Sequence, residues 1–159
     1  MNPKPKINKP DAAWLKRLRA ANRLMDQPVK SCCKTCLPQK KKLQQLKDIL
    51  SLHGYAVIFP HLEQDLQNML DRGIFIYPTK VKQIPGTSRQ CHRNSALLWK
   101  NNKDASIVTG YALSDDGLWR QHTWCIMNKE VWESTTQRVL YFGYVLNSEE
   151  AEKFYAENI

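Results

Sequence analysis

The sequence predicts an α+β fold in which a helix carrying Cys91 packs on an antiparallel β-meander. Three observations carry that expectation. In the first half, apolar residues recur at helical spacing, as in Leu43, Leu46 and Leu50, then Leu62, Leu66, Met69 and Leu70. From Ser106 onward they fall into strand-length segments separated by the turn sequences Ser114-Asp115-Asp116-Gly117 and Asn128-Lys129. Between these blocks lies one short helical segment, Ser88 to Trp99. Helices first and antiparallel strands after is an α+β order, not the alternation of a parallel sheet.

Taken in order, residues 1 to 10 hold three prolines and three lysines and read as a flexible tail. Asp11 is placed to cap a basic amphipathic helix with Trp14, Leu18, Ala21 and Met25 on its apolar stripe. Leu43 to His53 is a second helix with Gly54 as its stop, and Pro60 opens a third that ends at Gly73. Tyr55 to Phe59 and Ile74 to Tyr77 are short apolar runs, the second a buried strand. Thr79 to Ser88 reads as a loop and a candidate wall of a cleft. Ser88 is the expected N-cap of the Cys91 helix. Ser106 to Leu113, Leu118 to Met127, Val131 to Thr135 and Val139 to Leu146 form the meander, and Ser148 caps a final helix.

At 159 residues the chain suits one domain with a substantial core. No apolar run approaches the ~20 residues that span a bilayer. The basic start is followed by no apolar segment of the kind that directs secretion, so a cytoplasmic protein is expected, leaving the cell, if at all, by a non-classical route. The net charge of +9 is uneven. Residues 1–47 carry 13 Lys and Arg against Asp11 and Asp26, a local +11; the other 11 basic and 13 acidic residues give −2. This divides the chain into a basic N-terminal extension with an amphipathic helix and a Cys cluster, 1–47, and an α+β domain, 48–159. A nearly neutral second part calls for no polyanionic substrate.

Five cysteines, an odd number, argue against a disulfide framework. Cys33 and Cys36 have the gap of a zinc knuckle and Cys32 adjoins them, but no second pair completes a metal site, so they are weak metal candidates. Cys125 lies between Trp124 and Ile126 and reads as a buried structural thiol. Cys91 differs. It falls in a first helical turn, where free N–H groups and the helix dipole favour a thiolate, and Gln90, His92, Arg93 and Asn94 make that turn polar. His122 sits on a strand whose hairpin partner carries Glu133. A turn at Asn128-Lys129 pairs positions summing to about 255–257, which sets Glu133 on the face of His122, directly or diagonally. A thiol, an imidazole and a carboxylate so arranged form an activated nucleophile. Nothing in them calls for a cofactor.

Residues 88–146 carry a resemblance in Gln90-Cys91-His92-Arg93-Asn94, Trp119-Arg120-Gln121-His122-Thr123-Trp124 and Tyr141-Phe142-Gly143. Cysteine at a helix start, histidine on a strand and an acid on the adjacent strand resembles the papain-like and transglutaminase-like superfamily, including its small bacterial cell-wall peptidases. The resemblance implies a papain-like core and a cysteine hydrolase or acyl transferase acting on an amide, peptide, isopeptide or glutamine side chain through a thioester. Cys91 would be the nucleophile, His122 the base and Glu133 the orienting acid. Gln90 and Asn94 would be oxyanion candidates beside the Cys91 N–H, with Arg93 a further substrate-facing candidate. A peptide or protein would be the substrate partner. The alternative is a non-enzymatic adaptor that binds nucleic acid, an anionic membrane surface or a protein through residues 1–47.

Overall fold

Leu46 and Leu50, one turn apart on helix α1 (Cys36–Leu50), are fully buried and anchor that helix to the core. The computed structural model describes residues 6–8, 11–16, 36–59, 63 and 65–159. Helix α1 stops at Leu50, short of Gly54. The Leu50 carbonyl instead accepts from the Trp119 indole at 2.7 Å and from the His53 N–H, and the chain turns through 51–53. The charge break after Lys47 therefore falls inside a helix that packs on the core.

Residues 12–16 are helical and Asp11 Oδ1 accepts the Trp14 N–H at 2.6 Å, the cap its sequence predicts. The rest of that basic helix, with Cys32 and Cys33, lies outside the described residues. Residues 6–8, expected in a free tail, are fastened: Asn8 N–H donates to the Asp115 carbonyl and Ile7 packs against the core.

The remaining elements are β1 (Ala56–Ile58), α2 (Leu66–Arg72), β2 (Ile74–Ile76), β3 (Val81–Gln83), α3 (Cys91–Asn101), β4 (Ser106–Leu113), β5 (Leu118–Met127), β6 (Glu130–Glu133), β7 (Leu140–Val145) and α4 (Ser148–Asn158). The helix expected from Pro60 is described from Leu66, and residues 60–62 lie outside the described set. The cap of α4 is Asn147, not Ser148: Asn147 and Glu150 exchange side-chain and backbone bonds in a capping box. The expected loop 79–88 contains β3.

The fold is mixed α+β, with a curled, antiparallel-rich sheet of seven strands in the order β2-β7-β4-β5-β6-β3 and β1 beside β5. Both predicted hairpins form. Gly117 has φ 80°, and Asn128 and Lys129 have φ 53° and 63°, the left-handed pair of a turn whose twist suits two strands. The simple meander does not survive beyond β6. Strand β7 crosses back to pair with β4, from Leu113↔Leu140 to Val108↔Val145, and β2 adds to its other edge. The far edge of β6 is taken by β3 in parallel, and β1 is also parallel to β5.

The crossing has a packing reason. It buries Leu140, Phe142 and Tyr144 on the helix-covered face with Ile107, Tyr111, Leu113 and Trp119, over Leu46, Leu50, Leu66 and Met69. It leaves Tyr141 on the opposite face with Val108, Ala112, Trp124 and Val131. Strand β5 is thus flanked by β1 at residues 118–120 and by β6 from Cys125 onward. Among the described residues, no strand pairs with that side of β5 between 121 and 124. His122 lies in this gap.

Candidate functional site

Cys91 is the first residue of α3, so its N–H is one of those that a helix leaves without an internal acceptor. The N-cap is Gln90, which makes no side-chain cap bond, and not Ser88. Ser88 and Arg89 form a turn in which Arg89 takes φ 62°, and the Gln90 N–H reaches the Thr87 carbonyl. That turn delays the helix to Cys91 itself. Asn94, one turn into α3, fastens the incoming loop: its Oδ1 accepts the Thr87 N–H at 3.1 Å and its Nδ2 donates to the Thr87 carbonyl at 2.8 Å. The loop is also seated on the β6 end, where Ile84 N–H donates to the Glu133 carbonyl. At Gly86 the backbones approach so closely that a Cβ would lie 2.4 Å from the Ser134 carbonyl oxygen.

His122 and Glu133 meet across the β5–β6 hairpin. The observed register pairs Cys125 with Trp132, a sum of 257, so Glu133 stands diagonally from His122 on the same face. Glutamate has the reach for that diagonal: Glu133 Oε2 lies 2.8 Å from His122 Nε2. The carboxylate also accepts from the Thr135 N–H and Oγ1, both at 2.9 Å, and from the Tyr141 hydroxyl at 3.1 Å. Glu133 is completely buried. Burial alone would raise its pKa, but the His122 bond and the Thr135 donors outweigh that and hold it below the usual carboxylate range. Nothing in the sequence assigns Thr135 a part in the site, and Tyr141 enters only within the segment Tyr141-Phe142-Gly143; both reach Glu133 through the β6–β7 crossing.

With Nε2 committed to Glu133, the ring nitrogen left for Cys91 is Nδ1. Burial pushes the Cys91 thiol up, yet hydrogen bonding and charge from His122, and then from His92, bring it down to about 5. For His122 burial acts downward, and Cys91 and Glu133 together raise its pKa above the ordinary value. A thiolate–imidazolium pair is the state this geometry favours. His92, the next residue of α3, adds to the lowering at Cys91. Its ring stacks on Phe154 at 5.7 Å and lies within the field of buried Glu63, whose carboxyl accepts from the Tyr111 hydroxyl. Cys125 lies on the opposite face of β5 and gives its thiol hydrogen to the Ser95 carbonyl; burial pushes its pKa up to about 12.

Cys91 and His122 open into a cleft of about 450 Å³ lined by Gly86, Ser88 and Arg89 and by Ser134 to Thr136 and Arg138. The loop 79–88 thus supplies a wall, as its position suggests. Gln90 and Arg93 are exposed beside α3 and, with Asn94, are absent from the cleft lining among the described residues. Arg89, Arg120 and Arg138 line it instead. They make a cationic patch that the near-neutral total of residues 48–159 conceals. No family model, curated protein or solved structure matches this chain. Among the described residues no helix is long and apolar enough to cross a membrane.

Proposed function

We propose that this chain is a papain-like cysteine enzyme, a hydrolase or acyl transferase acting on an amide, peptide, isopeptide or glutamine side chain. The observation that carries the reading is the 2.8 Å bond between His122 Nε2 and buried Glu133, with the Cys91 sulfur left to the other ring nitrogen. The Cys91 thiolate adds to the carbonyl carbon. As the tetrahedral adduct collapses, the C–N bond breaks, and His122 gives its proton to the departing nitrogen. The acyl group remains as a thioester on Cys91. Water or an acceptor amine then attacks that thioester while His122 takes its proton; the C–S bond breaks and the thiolate–imidazolium pair returns.

Glu133 holds the ring in one orientation and stabilises its positive charge. The Cys91 N–H, at the helix start, is the oxyanion donor, and the exposed Gln90 side chain, expected as a second, lies outside the cleft lining formed by the described residues. Asn94 is kept as a loop fastener, since both ends of its amide serve Thr87. The test is hydrolysis and amine transfer on a mixed peptide-amide library, read by mass spectrometry. Wild-type protein should accumulate an acyl adduct at Cys91 on quenching. A Cys91→Ala protein that is folded and equally active ends the proposal.

A further inference from the structure

We infer that the cleft beside Cys91 selects an acyl donor that carries a carboxylate next to the bond attacked, with Arg138 and Arg89 as its anchors. This rests on the reading of Cys91 as nucleophile. Three arginines line the cleft and, among the described residues, no aspartate or glutamate does. Arg120 is the neutralised one: it holds Asp116 through two bonds of 2.9 and 2.7 Å. Arg138 donates to the Ser114 hydroxyl, feels Asp116 only through space, and keeps a buried Nε with no acceptor among the described residues. An unpaired buried guanidinium N–H costs free energy that an incoming oxyanion would recover.

Ser134 offers a second such group on the same wall. Its residue is 5% exposed, and its hydroxyl has no partner among the described residues. Arg89 lines the same cleft, exposed, in the left-handed region at φ 62°, with no ion pair among the described residues. Two guanidinium groups without an ion pair among the described residues and an unpartnered hydroxyl thus line one cleft, the donor chemistry that suits a planar carboxylate.

The experiment uses the full chain and two alkylating probes of similar size, iodoacetate and iodoacetamide, with the rate at Cys91 followed by peptide mass spectrometry. The ratio of the two rates should exceed that of a free thiol by about 10-fold. It should collapse in Arg138→Gln, be partly kept in Arg138→Lys, and fall in Arg89→Gln, whose exposed site keeps the test alive if Arg138 variants fail to fold. His122 is present throughout, so the change reads the arginines. Succinate should protect Cys91 from iodoacetamide at lower concentration than inorganic phosphate; the reverse order makes the preferred group a phosphoryl and overturns the carboxylate assignment. Rapid alkylation with a free-thiol ratio in every protein overturns this inference alone. Slow alkylation by both probes sinks the nucleophile reading and this inference with it.

Discussion

Cys91 and Cys125 belong to one packing unit: the first starts α3 and the second, on β5, bonds to a carbonyl of that same helix. Their thiols nevertheless stand at about 5 and about 12. Burial acts upward on both. The difference lies in the partners: Cys125 meets a carbonyl acceptor, which does little for a thiolate, whereas Cys91 meets two imidazoles and a helix start. Reactivity here is a property of position, not of residue type.

The sharpest break of that comparison is competitive alkylation in the folded protein. At pH 7 the values imply an almost wholly ionised Cys91 and a thiolate fraction of about 10⁻⁵ at Cys125, so iodoacetamide should label the first and spare the second. Comparable labelling of both would erase the contrast. Next in size is His122→Ala. The Cys91 thiol should return toward ~8.5. The buried Glu133, deprived of its partner, should cost the fold about 3 kcal/mol at neutral pH, seen as a lower urea midpoint.

Stability against pH tests the pair as a unit. The folded Cys91 pKa is lowered, so its contribution is lost as pH falls toward about 5; the folded His122 pKa is raised, so its contribution is lost as pH rises through that value. Unfolded, the same groups titrate near ~8.5 and ~6.5. Between about 5 and ~6.5 the unfolded chain therefore binds more protons and stability rises with pH. From ~6.5 until folded His122 or unfolded Cys91 begins to titrate, each state holds one proton on the pair and the curve is flat. Tm of the wild type should rise between pH about 5 and ~6.5 and that rise should be missing in Cys91→Ala, and a featureless difference would count against the pair.

Glu133→Gln should have a smaller effect. The substitution keeps a hydrogen-bond acceptor but removes the charge, so the apparent histidine pKa should fall and activity should drop only in part, less than in His122→Ala. An unchanged pH profile would leave Glu133 a structural carboxylate. Smallest is Asn94→Ala, which releases the loop before Cys91 at a cost of about 1–2 kcal/mol, read as a lower Tm with the Cys91/Cys125 contrast intact.

Local chemistry made the β5–β6 hairpin legible. Asn128 and Lys129 announce a tight turn, the turn sets the register, and the register puts Glu133 beside His122 without any distant information. The start of α3 was less legible, because Arg89 adopts a backbone conformation that its residue type disfavours and so displaces the cap from Ser88 to Gln90. What could not be read depends on pairs far apart in sequence: the return of β7 to β4, Tyr111 meeting Glu63, and Trp119 finishing α1 through the Leu50 carbonyl. Asn94 shows the limit within the site itself. Its side chain is expected to serve as an oxyanion donor, and the position of Thr87 takes up both ends of its amide instead.

Residues 134–139 make the crossing from β6 to β7, and the same short stretch furnishes Thr135 to Glu133 and Ser134 and Arg138 to the cleft. Its span is fixed at both ends, by Glu133 in its bond to His122 and by Leu140 in register with Leu113. Thr135 and the core-packed Val139 apart, side chains there can change with consequences confined to what the cleft admits. An inserted or deleted residue would shift strand pairing and acid together. Variation in this wall is thus open to substitution and closed to changes of length, which makes it a place where selectivity can drift while the framework stays put.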